Sequence, residues 1–436
     1  MYFNKQSNYR CNPQNFYNQC YNPCYNPYQT YWNYVCPPKC IPQCIPQCIP
    51  QCIPQCIPQC NDIIDCTPYK NNCSPKHHRK HDCKPCNTWQ KLLNVRNLVS
   101  NLPNQAYRQD VDVVNAWGIT IINDTLWVSD NGTGLITNYD FQGNKLFNRV
   151  NVLNGVPAQS TPTGIVQNLT TGFIITSGSN SQPSFLLVCT EDGTINGYNP
   201  LVDPINTVLA VNNSVSGAVY KGLTMAGNYL YAADFRNNKI DVFDSSFNPI
   251  LVFPFVDQNV SSPLPSGFAP FNIVNLNNLI YVLYAKQNPP TNNDDLAGPG
   301  NGYISIFNTN GTFVKRLVSG GALNSPWGLI SAPKSLGYPF GTILVGNFGD
   351  GKINAYDSLG TWLGTLKNDT GGDLQIDGLW GLAKHHKHEH SNIFFASGPN
   401  SEANGLIGKI YQKEKHHNHH NHHNHQNCNN SDSDSD

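Results

Sequence analysis

The segment 326–357, PWGLISAPKSLGYPFGTILVGNFGDGKINAYD, is a unit that the chain repeats, and no other feature limits its fold as strongly. It opens on Trp-Gly-Leu, runs into the apolar stretch TILVGNF, turns at Gly-Asp-Gly and returns through KINAYD. Alternating runs of β-branched and aromatic residues, cut by Gly, Asn and Asp, read as short antiparallel strands. Six copies begin at Trp117-Gly118-Ile119, Thr163-Gly164-Ile165, Lys221-Gly222-Leu223, Phe271-Asn272-Ile273, Trp327-Gly328-Leu329 and Trp380-Gly381-Leu382. Second strands follow at LWVSDN, LLVCTED, LYAADF, IYVLYAKQ, ILVGNF and IFFASGP, and third strands at LITNYD, INGYNP, KIDVFD, YISIFN, KINAYD and LIGKIY. Outer strands are expected at KLFNRV, TVLAV, PILVF, FVKRLV and WLGTL. No segment carries a helical period. A four-stranded unit repeated at this spacing predicts an all-β chain of six blades, a β-propeller.

The sixth copy stops at Tyr411 without an outer strand. The missing strand is available ahead of the first blade, because Asn97-Leu98-Val99-Ser100 matches Leu317-Val318-Ser319 of the fourth copy. Residues 95–102 are therefore expected to pair with the last blade and close the ring, which removes an open sheet edge.

The order NAWGI, LWVSDNGTG, PTGIV, TEDGTINGYNP, AVYKGL, LYAADF, APFNI, SPWGL, VGNFGDGKINAYD, IDGLWGL and GLIGKIY, from about residue 92 to 412, carries a resemblance. It is similar to a family of uncharacterised six-bladed propellers related to NHL-repeat proteins, found largely as conserved hypothetical proteins of bacteria. The resemblance implies the fold and names no reaction.

Outside the propeller (91–412) the chain changes character. Residues 1–90 hold 14 of the 16 cysteines, and Cys-Ile-Pro-Gln runs five times from Cys40 through Cys44, Cys48, Cys52 and Cys56 to Cys60. Proline at every fourth position forbids a helix and favours an extended chain. Cysteines four apart then lie about 12 Å from each other, whereas a disulfide needs Cα atoms roughly 4.4–6.8 Å apart. Neighbours in the run cannot bridge while it is extended, so the arm either folds back or bonds to other chains. Cysteine density of this kind belongs to an oxidising destination, yet no hydrophobic signal segment is visible. Cys73, His77, His78, His81, Cys83 and Cys86 have zinc-like spacings that match no established finger, and a disulfide-rich linker is the alternative. The tail 413–436 is His/Asn-rich and then Ser/Asp-rich; it has nothing to bury and can hold metal loosely. A second histidine run, His385 to His390, reads as a surface loop of the last blade. These ends resemble low-complexity segments of giant DNA virus proteins, which places the protein in a virion or at an extracellular surface.

With a net charge of −1 the chain has no basic footprint for nucleic acid, and no apolar run is long enough to span a membrane. Aligned second-strand ends give Asp130, Glu191, Asp234, Lys286, Asn347 and Gly398. In a propeller such positions form a ring near the channel mouth, where carboxylates and an amide can hold Ca²⁺; the alternative is that Asp and Asn cap turn amides. Aligned first-strand starts give Trp117, Thr163, Lys221, Phe271, Trp327 and Trp380, of which Trp117, Phe271, Trp327 and Trp380 are either a stacking platform for a carbohydrate or small ligand, or packing between blades. No Ser-His-Asp triad can be assembled. Two functions follow: a non-enzymatic structural or binding propeller, crosslinked to itself or other proteins through its arm, or a metal-dependent hydrolase of lactonase type with an acidic mouth, using Ca or Zn.

Overall fold

A computed structural model describes residues 91–155, 160–385 and 392–412. The arm cysteines Cys40 to Cys86 with their neighbouring histidines, His386 to His390 and the tail lie outside the described residues.

Each copy of the unit forms one antiparallel sheet, with its first strand innermost. Those inner strands are Ala116–Ile122, Pro162–Gln167, Tyr220–Ala226, Phe268–Leu276, Pro326–Ser331 and Leu379–Lys384. Tight turns join inner to second strands in blades one and four, at Asn123-Asp124 and Asn277-Asn278, all four residues having positive φ. Asn and Asp tolerate that conformation and match the strand twist. Blade two carries an additional hairpin, Ile174–Ser177 with Asn180–Pro183.

The glycine after each opening residue explains why the unit begins as it does. A Cβ on Gly118 would lie 2.4 Å from the Thr163 carbonyl oxygen, and one on Gly381 2.5 Å from that of Trp117. Neighbouring inner strands approach too closely for any side chain there. The Gly381 contact also joins blade six to blade one, so the ring is complete. Blade four has Asn272 in the glycine slot, and its Nδ2 donates to the Trp327 carbonyl at 2.7 Å.

Closure follows the expected route. Leu92–Ser100 pairs antiparallel with Leu406–Tyr411, from Asn94 opposite Tyr411 to Ser100 opposite Leu406. Leu98 and Val99 thereby enter the seam in which Leu126 and Val128 of blade one meet Phe394 and Ala396 of blade six. Apolar burial is distributed over such seams between adjacent blades and a separate aromatic cluster on the axis.

One expected outer strand does not form. PILVF of blade three makes a single bridge, Phe243 to Pro249, and one hydrogen bond from the Ile250 amide to the Val242 carbonyl. Pro249 and Pro254 lack the amides a ladder needs, and Phe255 has a φ of 40°. The segment swings onto blade four instead, with Phe255 5.3 Å from Phe307 between ring centroids. The first blade's outer strand is also shorter than KLFNRV, covering Val150–Asn151.

Candidate functional site

The six opening residues, Trp117, Thr163, Lys221, Phe271, Trp327 and Trp380, all lie buried where the inner strands start at the axis. Trp117 stacks on Trp380 at 3.7 Å, Phe348 stacks on the same ring at 3.8 Å, and Trp327 meets Trp117 and Trp380 edge-on. Phe271 packs on Phe235 and Trp380. The sequence candidates for stacking thus lie against one another and plug the channel where the inner strands start; beyond them a cavity of about 150 Å³ remains on the axis, lined by inner-strand residues of all six blades, Gly118, Gly164, Leu223, Asn272, Gly328 and Gly381 among them. Two of the three indole N–H groups are used locally, Trp327 Nε1 donating to the Lys221 carbonyl at 3.1 Å and Trp380 Nε1 to Asn115 Oδ1 at 3.1 Å, while the buried Trp117 Nε1 has no partner among the described residues.

A second tier sits on this plug. It consists of the residue just past each second strand: Asn131, Glu191, Phe235, Gln287, Phe348 and Gly398. In each blade this residue's amide bonds to a carbonyl just ahead of or at the foot of the inner strand, as from Asn131 to Asn115, Glu191 to Thr161 and Phe348 to Ser325. Asp130, Asp234, Lys286 and Asn347 are one position earlier, each the last residue of its strand. Glu191 and Gly398 therefore belong to a different register from the other four aligned residues, and a single step along a strand reverses the direction of the side chain.

The consequences differ residue by residue. Asp130 is buried, accepts from Thr137 Oγ1 at 2.7 Å and leaves its Oδ1 unpaired among the described residues. Burial pushes its carboxyl well above the ordinary range. Asp234 accepts from the Val219 and Asn237 amides at 3.1 and 3.3 Å, which is turn chemistry. Asn347 donates to the Ala322 carbonyl at 2.8 Å, and Lys286 makes no ion pair with a described residue. Among the described residues, no group of three or more His, Cys, Asp or Glu side chains is placed to hold a metal ion.

Glu191 meets Lys221, which the strand-end alignment did not single out. The Lys221 side chain is 2% exposed; its Nζ contacts Glu191 Oε1, lies 3.2 Å from Asp294 Oδ1 and sits 5.0 Å from the centre of the Trp117 ring. Glu191 Oε2 accepts from Asn131 Nδ2 at 2.8 Å, and Asn115 orients Asn131 from behind. Burial lowers the Lys221 pKa, but the charges of Glu191 and Asp294 outweigh it and the ammonium is held above its ordinary range. Burial also raises Asp295, which Lys221 opposes.

Glu402 completes the cluster from blade six. Asn400, Ser401 and Glu402 have φ values of 58°, 54° and 66°, one left-handed turn closed by the Glu402 amide on the Gly398 carbonyl at 3.1 Å. Left-handed residues other than glycine cost roughly 1–2 kcal/mol each. This turn brings a half-buried carboxyl to the axial charges. Burial pushes Glu402 up to about 7; Lys221 opposes that rise, while Glu191, Asp294 and Asp295 add to it. Of the other members, the sequence showed Glu191 as an aligned strand end and Lys221 as a lysine in a slot filled elsewhere by Trp, Phe or Thr. Asp294 and Asp295 lie on an insertion without a counterpart in other blades, and Glu402 on a turn whose path depends on its unusual backbone.

A closed ring of six sheets around a common axis defines a six-bladed β-propeller. No family model matches the sequence. The chain is 45% identical over 325 residues to the uncharacterised protein R648 of Acanthamoeba polyphaga mimivirus, covering 74% of this chain and 80% of that one. It is 43% identical over 329 residues to the uncharacterised protein L690 of the same virus, covering 75% and 87%. The chain belongs to the family of these viral proteins. Among solved structures it is similar to a streptogramin B lyase, with a TM-score of 0.42 and 14% identity over 74% of this chain and 99% of that one. Likeness at that level says nothing about activity.

Proposed function

We propose that the protein is a non-enzymatic structural or binding propeller of a virus particle, joined to its neighbours by disulfides from the cysteine-rich arm. The observation that carries this reading is the aromatic plug that closes the axis at the strand starts. Where a hydrolase of this shape would need an open, polar cleft with convergent groups, four aromatic residues of the opening ring pack on one another and Lys221 is tied to Glu191. A metal-dependent hydrolase needs several oxygen ligands on one ion, and Asp130, Asp234 and Asn347 are instead engaged in separate local contacts. The viral relatives favour a virus as the source. An arm with 14 cysteines in residues 1–90 favours a crosslinked assembly.

The test is made on purified particles of the source virus. The chain should be recovered by mass spectrometry as a particle component and should run as a ladder on non-reducing gels that collapses with reductant. Absence from particles, or a monomer with all its cysteines free, would overturn the reading.

A further inference from the structure

Beyond the aromatic plug the axis is enclosed by polar backbone. Each sheet binds its inner strand on one edge only, so the other edge of all six inner strands faces the axis. Which residues turn their N–H and C=O groups that way follows from the ladders, where alternate residues bond to the neighbouring strand. In blades one, three and four the pairs that close two-residue turns are Ile122 with Thr125, Ala226 with Tyr229 and Leu276 with Leu279. In blades two, five and six the ladder bonds run on from the amides of Asn168, Ala332 and His385 to the carbonyls of Phe185, Thr342 and Asn392. Counting back in twos from these bonded residues leaves Ile119, Ile165, Leu223, Ile273, Leu329 and Leu382 turned to the axis. There is one in each blade, just after the glycine slot, and all of them line the cavity.

Blade four supplies a second observation. Its slot holds Asn272 instead of glycine, and Asn272 Oδ1 accepts from the Ile273 amide at 2.8 Å while Nδ2 donates to the Trp327 carbonyl at 2.7 Å. Farther along the same strand, the Asn275 amide donates to Thr224 Oγ1 at 3.1 Å, and Asn275 Nδ2 donates to the Met225 carbonyl at 2.8 Å. The polar side chains that blades three and four bring to the axis are thus spent on inward backbone groups. The other five slots are glycine, and no side chain takes the amides of Ile119, Ile165, Leu223, Leu329 and Leu382 among the described residues.

We propose that the axial cavity binds a cluster of ordered water, which joins the six inner strands to one another. Buried N–H and C=O groups without partners are costly. A volume of about 150 Å³ far exceeds the roughly 10–15 Å³ that one water needs. Each inward residue presents one donor and one acceptor. Water both donates and accepts, so it bridges the amide of one blade to the carbonyl of the next. An ion suits the place less well, because the lining carries no charged side chain to balance it. Asn272 does for one blade, through its own amide group, what water does for the others. The site does not depend on whether the arm is crosslinked.

Water-to-amide cross-relaxation in NMR spectra of the deuterated full chain tests the proposal. Cross-peaks with the sign of long-lived bound water are expected at the amides of Ile119, Ile165, Leu223, Leu329 and Leu382. A markedly weaker one is expected at Ile273, whose proton Asn272 holds. Asn272→Gly gives blade four the residue that the other five carry, and the Ile273 cross-peak should rise to their level. Absence of cross-peaks at the five amides would overturn the proposal. So would an Ile273 cross-peak already equal to the others in wild type, or one left unchanged by Asn272→Gly in a variant that still melts cooperatively.

Discussion

Glu402 makes the stability of the whole propeller depend on pH in a window where few carboxyl groups titrate. An ordinary glutamate loses its proton near 4.5, and in the folded chain Glu402 keeps it up to about 7. Below about 4.5 both folded and unfolded chains hold the proton and nothing changes. Between there and about 7 the unfolded chain gives it up first, so unfolding releases a proton and stability falls as pH rises. Above about 7 both states are ionised and the loss is complete. A gap of roughly 2.5 pH units corresponds to about 3.4 kcal/mol at 1.36 kcal/mol per unit. Screening at a half-buried group reduces this to about 1–2 kcal/mol. For a propeller of roughly 320 residues, with an unfolding entropy near 2.1 cal/mol/K per residue, that is about 1.5–3 °C in Tm. Thermal melts of wild type and Glu402→Gln between pH 4.5 and 7.5 isolate the effect. Lys221, Glu191, Asp294 and Asp295 are present in both proteins, so only their coupling to Glu402 differs. Wild-type Tm should drop relative to the variant as pH rises. Parallel curves, or a relative gain for wild type, would refute the assignment of Glu402 as a carboxyl held protonated by its surroundings.

Gly381→Ala should lower stability by about 1–3 kcal/mol in denaturant unfolding, since the new Cβ lands 2.5 Å from the Trp117 carbonyl oxygen and 2.9 Å from Ile119 Cγ2. Gly372→Ala is the control: its nearest neighbour would be 3.4 Å away, and equal effects at the two sites would mean that blades six and one do not approach as described. Arg316→Leu removes the partner of Asp257, with Nε to Oδ2 at 2.6 Å and side chains 2% and 3% exposed. Stranding that carboxylate should cost about 3–5 kcal/mol; a measured loss below about 1 kcal/mol would show that water reaches it.

The sequence showed the blades because each one repeats a physical necessity. The close approach of inner strands demands glycine after the opening residue in five blades, and in blade four Asn272 takes its place while bonding across the seam. Seam packing then demands alternating apolar residues in the strands behind. The closing strand was legible for the same reason, as Leu98 and Val99 fill a seam position that Leu317 and Val318 fill elsewhere. PILVF misled because its apolar residues are real but its prolines prevent a ladder. They are spent on covering blade four.

The axial site was less legible, for two separate reasons. Lining up strand ends put Glu191 with Asp130 and Asp234, and a one-residue offset is invisible to apolar pattern at a strand terminus. The backbone resolves it, since the Glu191 amide bonds to Thr161 just as the Asn131 amide bonds to Asn115. Asp294 and Glu402 come from an insertion and a left-handed turn, and their approach to Lys221 depends on loop paths that no periodicity encodes.

Lys221 itself is the residue whose presence needs a reason beyond packing. Four of the six opening positions carry Trp or Phe, and an aromatic residue in the fifth would extend the plug without desolvating a charge. A buried ion pair is a poor way to gain stability, because an apolar replacement of similar volume often does as well or better. Here the cost is raised further by Glu402, whose left-handed turn and suppressed ionisation both work against the folded state. The axis therefore combines an economical element, the stacked aromatics, with an expensive one on top of it, where a left-handed turn, a desolvated lysine and a suppressed carboxyl coincide. Strain of that kind persists where the surrounding structure enforces it, and it gathers at places that engage a ligand or switch. Closing the channel explains the aromatics; it does not explain the lysine and its carboxyl groups.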